Sequence, residues 1–92
     1  MAYALRYHPR VLDEDLEKLS TATKDPIARS IGARLTEHPE RSGVPLKGSL
    51  RGHWKLRVGD HRLVFRVRSA EVWILAIMHR RDVYVRAERR SR

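Results

Sequence analysis

Two alternating runs joined by Gly59-Asp60 constrain this chain more than any other feature. His53-Trp54-Lys55-Leu56-Arg57-Val58 precedes the dipeptide, and His61-Arg62-Leu63-Val64-Phe65-Arg66-Val67 follows it. Glycine opening a two-residue connection predicts a tight hairpin. So short a turn fixes the register. It sets Val58 opposite His61, Arg57 opposite Arg62, Leu56 opposite Leu63, Lys55 opposite Val64, Trp54 opposite Phe65 and His53 opposite Arg66. Side chains alternate between faces. Trp54, Leu56, Leu63, Phe65 and Val67 then share one face, which must be core. His53, Lys55, Arg57, Arg62 and Arg66 share the other, with no acid among them. Like charges set opposite one another cost roughly a few tenths to 1 kcal/mol per pair. A merely solvated face mixes signs, so this face is expected to meet a polyanion, nucleic acid first.

The rest of the chain supplies a scaffold. Tyr3, Leu5 and Tyr7 alternate with Ala4 and Arg6, which predicts a short half-buried strand. Leu12, Leu16 and Leu19 recur among acids, which predicts an amphipathic helix over residues 9–20. Asp25-Pro26 reads as the cap and first position of a second helix. Its apolar stripe is Ile27, Ala28, Ile31 and Leu35, and Pro39 ends it. The two helices form a hairpin. Val44 to Gly48 reads as a connecting segment. Val72 to Met78 is nearly continuous in apolar residues and predicts a strand covered on both faces. His79 to Arg92 reads as a basic tail, frayed at its end. The expected fold is α+β: an N-terminal strand and helical hairpin packed on a small, mainly antiparallel, twisted sheet in β-α-α-β-β-β order.

Composition narrows the function. The chain has 92 residues and no cysteine, so it is read as one domain, 1–92, with no disulfide or thiolate metal site to hold it. Its formal net charge of +9 lies entirely in the second half: residues 1–46 carry seven Lys/Arg and seven Asp/Glu, residues 47–92 thirteen and four. No run is apolar enough for a signal peptide or membrane span. A soluble, cytoplasmic protein without membrane contact is expected. The histidines (His8, His38, His53, His61, His79) show no metal-ligand spacing. No metal or cofactor is expected.

The segments Pro45-Leu46-Lys47-Gly48, Trp54-Lys55-Leu56-Arg57-Val58-Gly59-Asp60-His61-Arg62-Leu63-Val64-Phe65 and His79-Arg80-Arg81-Asp82-Val83-Tyr84 resemble the bacterial RelE-like toxins of the RelE/ParE toxin–antitoxin superfamily. The order of elements resembles theirs too, so the likeness covers nearly the whole chain. RelE-like members cleave mRNA in the ribosomal A site without metal; ParE-like members poison DNA gyrase. The resemblance implies the RelE-like microbial RNase fold, a toxin inhibiting translation, and a cognate antitoxin, expected as an acidic, partly disordered segment wrapping it. It marks Lys55, Arg62, Arg80 and Tyr84 as catalytic. Where relatives carry a second catalytic lysine, this chain has His53.

Such cleavage uses the 2′-hydroxyl as nucleophile on the adjacent phosphate. It leaves a 2′,3′-cyclic phosphate and a 5′-hydroxyl. Lys55 is the candidate base; it must act deprotonated, and neighbouring Arg57 and Arg62 favour proton loss. His53 is a second candidate, because histidine titrates near neutrality. Arg62 and Arg80 are expected to hold the phosphate and stabilise its developing charge. Tyr84 is expected to stack on a base or place the 2′-hydroxyl. Lys47, Arg57 and Arg81 are expected RNA-backbone contacts. Each residue also has a structural alternative: Lys55 as a plain strand-face lysine, Arg62 as a partner of Glu71 or Asp82, Tyr84 as a buried plug. Two other functions stand beside the nuclease: a gyrase poison and a non-catalytic RNA-binding module.

Overall fold

The computed structural model describes residues 2–91. Five strands form one sheet in the order β1-β5-β4-β3-β2. They are β1 (Ala4–Tyr7), β2 (Val44–Pro45), β3 (Trp54–Val58), β4 (His61–Arg68) and β5 (Glu71–His79). β1 runs parallel to β5, and every other neighbouring pair is antiparallel. The hairpin register is the expected one over all five ladder pairs, from Trp54 opposite Phe65 to Val58 opposite His61. Gly59 takes a φ of 61° at the turn, a conformation that costs glycine little. On the core face Leu56, Leu63 and Phe65 are buried against Val11, Ile27, Ile31 and Leu35 of the helices.

β5 is the interior strand its composition predicts, and a bulge explains why its apolar run is continuous. Phe65 pairs with Ile74 while Val64 pairs with Ala76, so Leu75 is an extra residue. Val72, Ile74 and Ile77 therefore reach the first core while Ala76 reaches a second one. That second core changes the picture of the cationic face. The stretch from 79 onward is more than a basic tail: it contains α3 (Val83–Arg90), whose Val83 and Ala87 lie over Val64 and Ala76, with Leu50 beside them. Two apolar residues one turn apart among arginines gave too weak a periodic signal to expose the helix. The middle of the cationic face is thus covered.

Other expectations need correction. Val44–Pro45 is not mere connection but a short edge strand paired with Trp54 and Lys55. The second helix, α1 (Thr21–Ser30), begins earlier than Asp25. Ser20 caps it, its hydroxyl accepting from the Thr23 N–H at 3.2 Å, and Pro26 lies inside it. The proline removes one helical bond, but burial of Ile27, Ile31 and Leu35 holds the helix and the wide turn Ile31–Leu35 that extends it. A short α2 (Pro39–Ser42) then leads into β2. In the first helical segment (Val11–Asp15 and Leu16–Lys18) Leu16 and Leu19 pack against the core as expected, but Leu12 is exposed and Val11 and Asp15 are the buried residues. A wide turn in that segment shifts its first residues away from the simple leucine spacing.

Burial of Asp15 has a specific cause. β1 pairs with β5 only as far as Tyr7, whereas β5 continues to His79. Beyond that point the Ile77 N–H and the Leu75 carbonyl need other partners. Asp15 Oδ2 accepts from the Ile77 N–H at 2.9 Å, and Arg90 Nη1 donates to the Leu75 carbonyl at 3.0 Å. The two side chains then bind each other through two bonds of 2.8 Å. This fork ties the end of α3 to the N-terminal helix.

Candidate active site

The first turn of α3 brings Tyr84 against the cationic face of the hairpin. Lys55 Nζ lies 6.0 Å from the centroid of the Tyr84 ring, at the reach of a cation–π contact. Lys55, Arg57 and Arg62 line one shallow depression of about 320 Å³, together with Arg34, Ser42 and Val44. Arg57 and Arg62 are direct cross-strand partners.

Arg62 is only 9% exposed. Its Nη1 donates to the carbonyls of Gly59 and His61, each at 2.9 Å. Its Nε and Nη2 bond to no described residue, and no carboxylate pairs with it among the described residues. Glu71, one partner the sequence left open, is held instead by Arg6 and the Trp73 indole, which keep its carboxyl below the usual range. The turn carbonyls thus anchor one end of the guanidinium and leave Nε and Nη2, a parallel pair of donors suited to two phosphate oxygens.

Arg80 is exposed just beyond β5. Its backbone N–H donates to the Asp60 carbonyl at 2.9 Å, so it sits against the same hairpin turn that anchors Arg62. Lys47 is exposed, immediately before the turn Gly48–Leu50 that supports α3. His53 falls elsewhere. It lines a neighbouring depression of about 260 Å³ with Arg66, Arg68, Trp73 and Arg90. Burial, and then the Arg66 charge, pull its pKa below the ordinary histidine value, and its Nδ1 is buried without a hydrogen-bond partner. Arg81 is also apart, in a cleft beside β5. Lys55, Arg57 and Arg62 thus line one depression, with Tyr84 against Lys55 and Arg80 at the turn, while His53 and Arg81 line others. Arg34 joins the depression unannounced: a lone arginine on the polar side of a helix carries no sequence signal of what it will face.

With four cations lining an open depression and the Tyr84 ring beside one of them, the arrangement suits a phosphodiester. Among the described residues no group of three or more His, Asp or Glu side chains converges to hold a metal ion, and no helix is long and apolar enough to cross a membrane.

Residues 5–84 match the family model described as the ParE toxin of the type II toxin–antitoxin system parDE. The chain is similar to Toxin RelG of Mycobacterium tuberculosis, with 32% identity over 88 residues that span 94% of this chain and 100% of that protein. Among solved structures it is similar to the toxin–antitoxin complex RelBE2 from the same organism, at 29% identity and a TM-score of 0.79, covering 87% of this chain and 100% of that one. A double arginine-to-alanine mutant of E. coli toxin RelE in the free state shares the fold, with a TM-score of 0.76 at 23% identity over 98% of both chains.

Proposed function

The chain belongs to the ParE toxin family of type II toxin–antitoxin systems, within the RelE/ParE superfamily, and from that premise we propose that it is a ribosome-dependent mRNA endonuclease held in check by a cognate antitoxin. The observation that carries the reading is Arg62: a guanidinium almost withdrawn from water, beside Lys55 and Arg57, with no carboxylate partner among the described residues. Burying such a charge unpaired is costly, and a site that receives a phosphate supplies the missing anion.

The proposed reaction is internal transesterification. Lys55, held against Tyr84, takes the proton from the 2′-hydroxyl. The 2′-oxygen then bonds to the adjacent phosphorus and the bond to the 5′-oxygen breaks. A 2′,3′-cyclic phosphate and a 5′-hydroxyl result, the leaving oxygen collecting a proton from a neighbouring cation or water. Arg62 offers its free donor pair to the non-bridging oxygens, and Arg80, exposed beside the hairpin turn, adds its guanidinium from there. These contacts strengthen as charge gathers on phosphorus, which is how they accelerate the step. Tyr84 orients Lys55 and supplies a ring for base stacking. Arg57 and Lys47 contact the backbone on either side.

An antitoxin partner is supported by the solved complexes of similar toxins: RelBE2 of M. tuberculosis, and E. coli RelE with a RelB peptide at 27% identity to this chain. The family description favours one other reading, gyrase poisoning, because it names ParE. A single experiment separates the two. Purified protein added to translating ribosomes is expected to cut the message, leaving 2′,3′-cyclic phosphate and 5′-hydroxyl ends, with no cutting by Arg62→Ala. Intact message together with gyrase-linked DNA breaks would replace the nuclease with the poison.

A further inference from the structure

We infer that the cleft beside β5 is a second RNA subsite, holding one nucleotide unit of the single strand with its phosphate on Lys18, Arg81 and Arg89. This rests on the RNA reading above and extends the path of the strand beyond the Lys55 depression.

The cleft exists because β1 stops short of the end of β5, leaving a gap between the N-terminal helix and α3. Its volume is about 420 Å³, within the range of sites that hold small ligands. Three separate elements each send a cation to it: Lys18 ends the N-terminal helix, Arg81 follows β5, and Arg89 lies on α3. None of the three has a carboxylate partner among the described residues. The acids nearby do not cancel them. Asp15 is neutralised by Arg90, and Arg86 is already matched with Glu14 at 3.3 Å. Asp82 alone remains on the rim.

The rest of the lining suits a nucleotide better than a bare ion. Val85 of α3 is 59% exposed, an apolar side chain that belongs to neither buried core. With Leu19 it gives a base a flat apolar rest. His61 and His79 stand edge to face at 5.8 Å. His79 Nδ1 accepts from the Arg81 N–H at 3.2 Å. That bond holds the ring against the backbone that carries Arg81. Charge complementarity thus commits the cleft to a phosphodiester, with an acidic protein segment as the competing occupant.

The test is titration of the full-length chain, carrying Arg62→Ala so that RNA stays whole, with a short labelled oligouridylate at rising salt. Lys18→Ala combined with Arg89→Ala is expected to weaken binding about tenfold at low salt and to flatten the log–log salt slope by about 1.4, the share of two phosphate contacts on a single strand. Both residues are exposed, so the melting temperature should not move. Unchanged affinity and slope would overturn the inference. So would loss of polyglutamate binding with oligouridylate binding intact, which would give the cleft to an acidic protein. If the two substitutions weaken RNA binding yet the Arg62-intact chain never cuts ribosome-bound message, the nuclease reading falls and the subsite stands.

Discussion

Arg62 and Arg90 make an instructive pair. Both are drawn out of water: Arg62 is 9% exposed and the Arg90 side chain 5%. Arg90 meets a carboxylate through two short bonds and satisfies a stranded carbonyl besides. Arg62 meets only two turn carbonyls and faces Arg57 across the ladder. A buried cation with its anion inside the fold serves the fold. A buried cation whose anion is missing is kept for something that arrives from outside.

The largest expected effect comes from breaking the closed pair. Asp15→Asn leaves the buried Arg90 guanidinium with only its longer 3.5 Å contact to Glu14 and should cost up to about 3–5 kcal/mol of stability, read by urea denaturation. Replacing both residues with leucine and methionine should recover only part of that loss: neither charge then needs an anion, but the Ile77 N–H and the Leu75 carbonyl are left without partners. The open site should behave in the opposite way. Arg62→Met should lower cleavage by about 10²–10³-fold while stability holds or rises, because it removes an unpaired buried cation and relieves the repulsion with Arg57. A loss of stability in Arg62→Met as large as that in Asp15→Asn would make Arg62 another structural arginine and erase the contrast.

That contrast was only half legible in the sequence. The hairpin could be read residue by residue, because a two-residue turn leaves one register and alternation does the rest. Lys55, Arg57 and Arg62 followed from it directly. The Asp15–Arg90 fork could not be read. It depends on β1 ending at Tyr7 while β5 runs on, a mismatch between distant elements with no local pattern. Asp15 looked like one acid among several on the wet side of a helix, and Arg90 like one more charge in a tail. The same blindness hid α3, whose stability comes from two small contacts and that fork rather than from periodicity. Nor could the sequence show which depression His53 lines. Strand alternation puts His53 and Lys55 on one face, but the depressions they line are separate.

The smallest effect tests that separation. Burial lowers the pKa of His53, and also of His8 and His61, below the ordinary value near 6.5. A histidine that binds protons more weakly when folded than when unfolded stabilises fully above its unfolded pKa. That contribution is lost as pH falls through the folded value. Stability should therefore decline on acidification from about pH 7 to pH 5, and His53→Gln should make the decline shallower, measured as urea midpoints across that range. Cleavage gives the sharper reading. If Lys55 is the base, Lys55→Met should lose activity by orders of magnitude, as Arg62→Met does, while His53→Gln stays within about tenfold of the parent, short of the 10²-fold or more that a general base typically contributes. Equal losses in the two variants would put His53 back beside the scissile phosphate and close the gap the fold opens between the two depressions.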